Sequence, residues 1–116
     1  MDLYHQWCDL KPGVRDMDLV EACHTFLRAL KQQGKIADYR ITRRKLGFGP
    51  ANLGEFHILI ETDGLAQLDE AFNLVATRAG KVESQHHGLN SLVTNVTSLL
   101  ERDFPDDVRQ TGEEKF

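Results

Sequence analysis

The sequence predicts an α+β domain with the order β-α-β-β-α-β, built on a four-stranded antiparallel sheet. Three observations predict it. Residues 39–61 read as a hairpin, with the β-like run Tyr39-Arg40-Ile41-Thr42, a loop from Gly47 to Gly54 with one proline, and the apolar run Phe56-His57-Ile58-Leu59-Ile60. The chain on each side of that hairpin divides into one strand and one helix. The stretch Val93-Thr94-Asn95-Val96-Thr97-Ser98 is β-branched and polar, which favours a final strand.

Each element follows in order. Residues 3–10, Leu-Tyr-His-Gln-Trp-Cys-Asp-Leu, are aromatic and strand-like, and Lys11-Pro12-Gly13 stops them. Asp16 or Asp18 can then cap a helix, because a carboxylate accepts from the free amides of the first turn. Leu19, Cys23, Phe26, Leu27 and Leu30 follow at helical spacing as one apolar stripe, and Gly34 ends it as a left-handed cap. The hairpin strands are expected over 36–46 and 55–62. In the second of these, Phe56, Ile58 and Ile60 point one way, while Glu55, His57, Leu59 and Glu61 point the other.

Thr62-Asp63-Gly64 turns into a second helix whose stripe is Leu65, Leu68, Phe72, Val75 and Ala79, with Gly80 as its stop. A short helical piece from about 82 to 91 and a strand from about 93 to 103 complete the chain. Leu89, Leu92, Val93, Val96, Leu99 and Leu100 also fit a helical stripe, so topology decides: the open edge beside the first strand calls for a strand. This is the ferredoxin-like plan. The domain is expected over 1–107, with a loose, charged tail over 108–116.

Composition narrows the function classes. The chain has 116 residues, enough for one core, and 41% are hydrophobic, which argues against disorder. A net charge of -4 gives no general pull toward nucleic acid or an anionic membrane. No apolar run reaches the roughly 20 residues of a membrane helix. The start, Met-Asp-Leu-Tyr-His-Gln-Trp, is no secretory signal, so a cytoplasmic location is expected. Cys8 and Cys23 lack metal-ligand spacing and read as buried thiols.

With both helices on one side, the other face of the sheet is left open. It carries Glu55, His57, Leu59 and Glu61 from the third strand, Arg40, Thr42 and Arg44 from the second if its phase matches, and from the first either Leu3, His5 and Trp7, the favoured set, or Tyr4, Gln6 and Cys8. Such a face, apolar islands among charges, suits burial against a second copy. The arrangement resembles the dimeric α+β barrel superfamily, which includes stress-responsive barrel proteins and small ferredoxin-like monooxygenases. The runs Arg43-Arg44-Lys45-Leu46-Gly47-Phe48-Gly49-Pro50, Gly54-Glu55-Phe56-His57 and Arg102-Asp103-Phe104-Pro105-Asp106 are also similar to a small bacterial family of unknown function. The resemblance implies a dimeric α+β barrel and no settled activity, and no catalytic motif of the oxygenases matches residue by residue.

Candidate chemistry centres on that face. His5, His57 and Glu61 can meet across the first and third strands, where imidazole and carboxylate suit proton transfer or, less readily, a divalent metal; the plainer reading is a hydrogen-bonded polar patch at a dimer interface. Trp7, Arg40, Arg44 and His57 are the expected ligand-binding residues. Arg40, Arg43, Arg44 and Lys45 could hold an anion, though the glycine loop is no dinucleotide fingerprint and these cations suit pairing with Glu55 or Glu61. His86 and His87 are adjacent and cannot share one metal; one could cover a cavity mouth. RNA binding is disfavoured by Glu55 and Glu61 beside the open face. The expectation is a homodimer binding a small molecule in or near the space between the sheets. The alternative is a cofactor-free monooxygenase- or isomerase-like enzyme using His5 or His57. No metal, cofactor, nucleic acid or membrane is expected.

Overall fold

A computed structural model describes residues 1–110 and 112. The elements are β1 (Asp2–Leu10), α1 (Asp16–Gln32), β2 (Asp38–Arg43), β3 (Phe56–Thr62), α2 (Leu65–Ala76), α3 (Gly80–Asn90) and β4 (Val93–Arg102). They form one antiparallel sheet in the order β2-β3-β1-β4, so β2 and β4 are open edges. The result is a slab, 18 Å through its thinnest dimension: one sheet layer under one helix layer.

The stripe of α1 is buried as its spacing predicts. Leu19, Cys23, Phe26, Leu27 and Leu30 are all buried, and they meet Cys8, Phe56 and Ile58 of the sheet. Each such side chain contributes about 1.5–3 kcal/mol on leaving water. Arg15 takes the position before the first turn, and the Asp18 carboxylate accepts its backbone N–H at 3.0 Å. Gly34 adopts φ +71°, the left-handed stop that a side chain would resist.

Three details differ from the sequence reading. The hairpin strands are shorter, because the loop takes residues 44–55. α2 ends at Ala76, and Gly80 opens α3 instead of closing α2. α3 is a full helix, giving β-α-β-β-α-α-β. On α2, Leu68 and Ala71 are buried, whereas Leu65 and Phe72 lie at its exposed margin. Residues 93–102 are a strand, as topology required. The expected loose tail over 108–116 falls mostly on residues outside those described.

The register fixes which side chains share the open face. Trp7 pairs with His57 and Thr97, and His57 with Thr42. His5 pairs with Leu59 and Leu99, and Leu59 with Arg40. Leu3 pairs with Glu61 and Glu101, and Glu61 with Asp38. These three rows lie on the side away from the helices.

At the hairpin end of the sheet, β4 bulges. Trp7 pairs with Thr97 but Asp9 pairs with Thr94, so Asn95 and Val96 stand opposite Cys8 alone. Asn95 has φ +52°, a conformation asparagine tolerates. Its amide donates to Asp9 Oδ2 at 2.9 Å and to the Asn52 carbonyl at 3.0 Å. The other Asp9 oxygen accepts the Glu55 N–H at 2.9 Å. One carboxylate thus ties β1, β4 and the hairpin base together.

Candidate functional site

The open face brings His5 and His57 together, as their places on β1 and β3 predict. His5 Nδ1 and His57 Nε2 are 2.9 Å apart. Strand alternation puts both on one face, and the antiparallel register sets them diagonally, one row apart. Trp7 lies over His57, ring centres 4.5 Å apart and planes 14° from parallel. His5 is nearly parallel to both neighbouring rings, at 7° to Trp7 and 8° to His57. The face therefore carries an aromatic plate at its centre.

The carboxylate beside His5 is Glu101 of β4. Its Oε2 lies 3.1 Å from His5 Nε2, ion-pair distance but off the axis of a hydrogen bond; that buried nitrogen has no hydrogen-bond partner among the described residues. Glu61, named from the sequence, sits one row along, opposite Leu3. Glu101 was missed because its phase depends on the β4 bulge, and sequence alternation does not reveal a bulge. On the other side, Thr42 Oγ1 is 3.4 Å from His57 Nδ1. A polar chain, Thr42–His57–His5–Glu101, crosses all four strands.

Proton counting restricts this chain. With both imidazoles neutral, the Thr42 hydroxyl donates to His57 Nδ1, His57 Nε2–H donates to His5 Nδ1, and His5 Nε2–H faces Glu101. Each hydrogen then points to the next member of the chain, except the last, which lies off the hydrogen-bond axis to Glu101. One added proton fits, either on His57 Nδ1 with the Thr42 hydroxyl turned to accept, or on His5 Nδ1 after His57 changes tautomer. Two do not: N–H would face N–H across the 2.9 Å contact. Burial pushes the His57 imidazole below the ordinary histidine range, His5 adds to this, and Glu101 opposes it. The chain sets two imidazoles within proton-transfer distance of each other. Among the described residues, no group of three histidine, cysteine or acidic side chains is set to hold a metal.

Of the expected ligand residues, Trp7 and His57 stack together and Arg44 alone leaves the face. Arg40 stands on the open face and is exposed. Arg44 donates from Nη2 to the Leu53 carbonyl at 2.7 Å and to the Gly54 carbonyl at 2.8 Å, so it locks the hairpin base. Arg43 lies on the helix side, over the Phe56 ring, paired with Asp16 at 3.0 Å and Glu55 at 3.1 Å.

A second space lies between sheet and helices. It has a volume of about 160 Å³ and is lined mainly by apolar side chains of α1, α2, α3, β1 and β3, Ala71 and Leu89 among them. Polar atoms come from Tyr4, Gln6, His86 and Asn90. Tyr4 meets Phe72 edge-on, ring centres 5.4 Å apart, and its hydroxyl accepts from Gln6 Nε2 at 3.2 Å. His86 packs against Phe26 at 5.4 Å, which makes it the histidine at the cavity; His87 is exposed. The sequence signal for this space was the small residue Ala71 at the centre of the α2 face.

A family model described as a family of unknown function (DUF6614) matches residues 1–116. The chain belongs to that family. Among solved structures, the protein At3g17210 from Arabidopsis thaliana is similar at a TM-score of 0.71 and 10% identity, covering 95% of this chain and 100% of that one. A dimeric ferredoxin-like protein of unknown function from Jannaschia sp. CCS1 follows at a TM-score of 0.61 and 14% identity, covering 89% and 100%. Another dimeric ferredoxin-like protein of unknown function, from Thermobifida fusca, gives a TM-score of 0.55 and 12% identity, covering 87% and 90%. No curated protein matches. These likenesses establish the family's fold as ferredoxin-like. No helix among the described residues is long and apolar enough to cross a membrane.

Proposed function

We propose that this protein is a homodimeric α+β barrel that binds a small, largely apolar ligand in the cavity between sheet and helices. The observation that carries the ligand is that space of about 160 Å³. It is comparable to cavities that admit one benzene-sized molecule. Four polar side chains at its walls, Tyr4, Gln6, His86 and Asn90, can orient a ring bearing an oxygen substituent.

The homodimer is supported by the open face. Leu3, Trp7, Leu59 and Leu99 lie on it, and Leu99 is 40% exposed in the lone chain. Four strands of this length cover roughly 500 Å² in projection. As accessible surface this approaches the ~800 Å² per partner of a standard interface. A two-fold axis parallel to the strands lays β2 over the partner's β4. The Arg40 edge then meets the Glu101 edge, and both open edges face a strand.

A thermal-shift screen with small phenols and aromatic acids tests the ligand. Saturation to 100 times Kd should stabilise the protein by about 2.7 kcal/mol. Ala71→Leu, which fills the cavity, should abolish the shift, and His57→Ala should keep it. Loss with His57→Ala alone would move the ligand to the open face beside Trp7 and Arg40. No shift in the wild type would end the proposal.

A second reading is a cofactor-free enzyme of the monooxygenase or isomerase type. The chain from Thr42 to Glu101 favours it, since it sets two imidazoles in contact with a carboxylate within ion-pair distance of one of them. Arg44 is committed to backbone carbonyls, which leaves Arg40 as the exposed cation on that face.

A further inference from the structure

We propose that association through the open face is proton-linked, with the His5–His57 pair as the element that breaks the dimer on acidification. This rests on the reading of that face as the contact with a second copy.

The geometry carries the inference. Both rings sit at the centre of the face, under or beside Trp7, and their nitrogens are 2.9 Å apart. His5 is already 88% buried in the lone chain, given its side-chain exposure of 12%, and a second sheet about 10 Å away would remove the remaining water. The pair accepts one proton while one imidazole nitrogen still accepts across the contact. A second proton places two imidazolium cations in contact, in a space that cannot solvate them. The relief is to expose the rings, which means separating the sheets.

The surrounding charges do not cancel this. Glu101, 3.1 Å from His5 Nε2, can balance one positive charge on the pair and not two. Arg40 of β2 adds positive charge on the same face. Asp38 is paired with Lys31, and Asp9 is occupied by Asn95 and the Glu55 amide. Glu61 lies a row away, opposite Leu3. The helices are all on the other side of the sheet. An ordinary carboxylate titrates near 4 and an ordinary imidazole near 6.5, so acidification that charges histidine leaves carboxylates ionised.

The sign follows from which form assembles. The face closes with His57 neutral, and the separated chains hold it more readily as a cation. Association is therefore complete above the histidine range and lost as pH falls through it. Two protons enter per dimer, one on each chain. The dissociation constant should then rise on the order of 100-fold per pH unit below the break.

The test uses the full chain in sedimentation velocity from neutral pH down to about pH 5, where carboxylates are still charged. Trp7 is the chain's one tryptophan, so its emission reports on this face directly. The expected result is a dimer at neutral pH that dissociates on acidification, with Trp7 emission moving to the red and far-UV circular dichroism unchanged. His57→Gln keeps a polar side chain that cannot titrate, and it should flatten the dissociation constant to within about threefold across the same range. If His57→Gln does not assemble at neutral pH, His5→Gln carries the same comparison. A wild-type dimer whose dissociation constant ignores pH overturns the proton link and leaves the homodimer standing. A wild-type monomer at neutral pH overturns both. Variants that follow the wild-type curve assign the proton elsewhere and also overturn it.

Discussion

Gly54 offers the sharpest test of how this fold is held. A Cβ there would lie 2.5 Å from both the carbonyl carbon and the nitrogen of Cys8, and 2.6 Å from its Cα. Ordinary contacts between carbon atoms begin near 3.5 Å, so β1 and the hairpin base must separate by about 1 Å. The obstacle is backbone inside a paired strand, and it cannot rotate away as a side chain could. Separation strains two bonds to charged groups: the Glu55 N–H to Asp9 at 2.9 Å and Arg44 to the Gly54 carbonyl at 2.8 Å. Bonds of that type contribute about 1.5–3 kcal/mol each when intact, and both are only partly buried. We take the lower end for each, which puts Gly54→Ala at about 3 kcal/mol of lost stability. For a chain of this size that is a fall of about 10–15 °C in Tm. Gly49→Ala is the control, since a Cβ there meets nothing within 4 Å. Urea denaturation gives both values, with the slope checking that the unfolded states match. If Gly54→Ala stayed within about 0.5 kcal/mol of wild type at unchanged slope, the close approach of the hairpin base to β1 would be refuted.

Two further predictions concern titrating groups. The Asn95 amide, then the Glu55 amide, with Arg44 adding, hold the Asp9 carboxyl below the usual carboxylate range, against a small opposing effect of burial. Its contribution is complete above the unfolded carboxylate value near 4 and disappears as pH falls through the lower folded value. Asp9→Asn should therefore lose stability near neutral pH and show a shallower acid dependence of Tm; equal dependence in both proteins would refute the hub at Asp9. Burial pushes the Cys8 thiol up to about 11 and the Cys23 thiol up to about 12. A thiol reagent at about pH 8 should label neither in the folded protein and both in denaturant; rapid labelling of the native chain would contradict their burial.

Much of the fold was legible because it rests on local periodicity. The α1 stripe, the alternation of β3 and the stop at Gly34 each follow from spacing and backbone preference, and each appears as read. The meeting of His5 with His57 was legible too, since strand alternation and one antiparallel pairing suffice. The length of α3 and the opening role of Gly80 were not. The α3 sequence is weakly patterned, and it is a helix because Leu89 and its neighbours find α1 and the sheet beneath them.

The sequence by itself determined which residues could lie on the open face, because side-chain direction along a strand alternates regardless of surroundings. Only the tertiary structure decided which of them touch. Glu101 and not Glu61 stands beside His5, and Arg44 binds the hairpin base instead of facing a ligand. Those outcomes depend on a one-residue bulge at Asn95 and on how closely Gly54 lets the hairpin approach β1. Both are long-range distances, set when strands far apart in the chain pack together, and no local pattern encodes them.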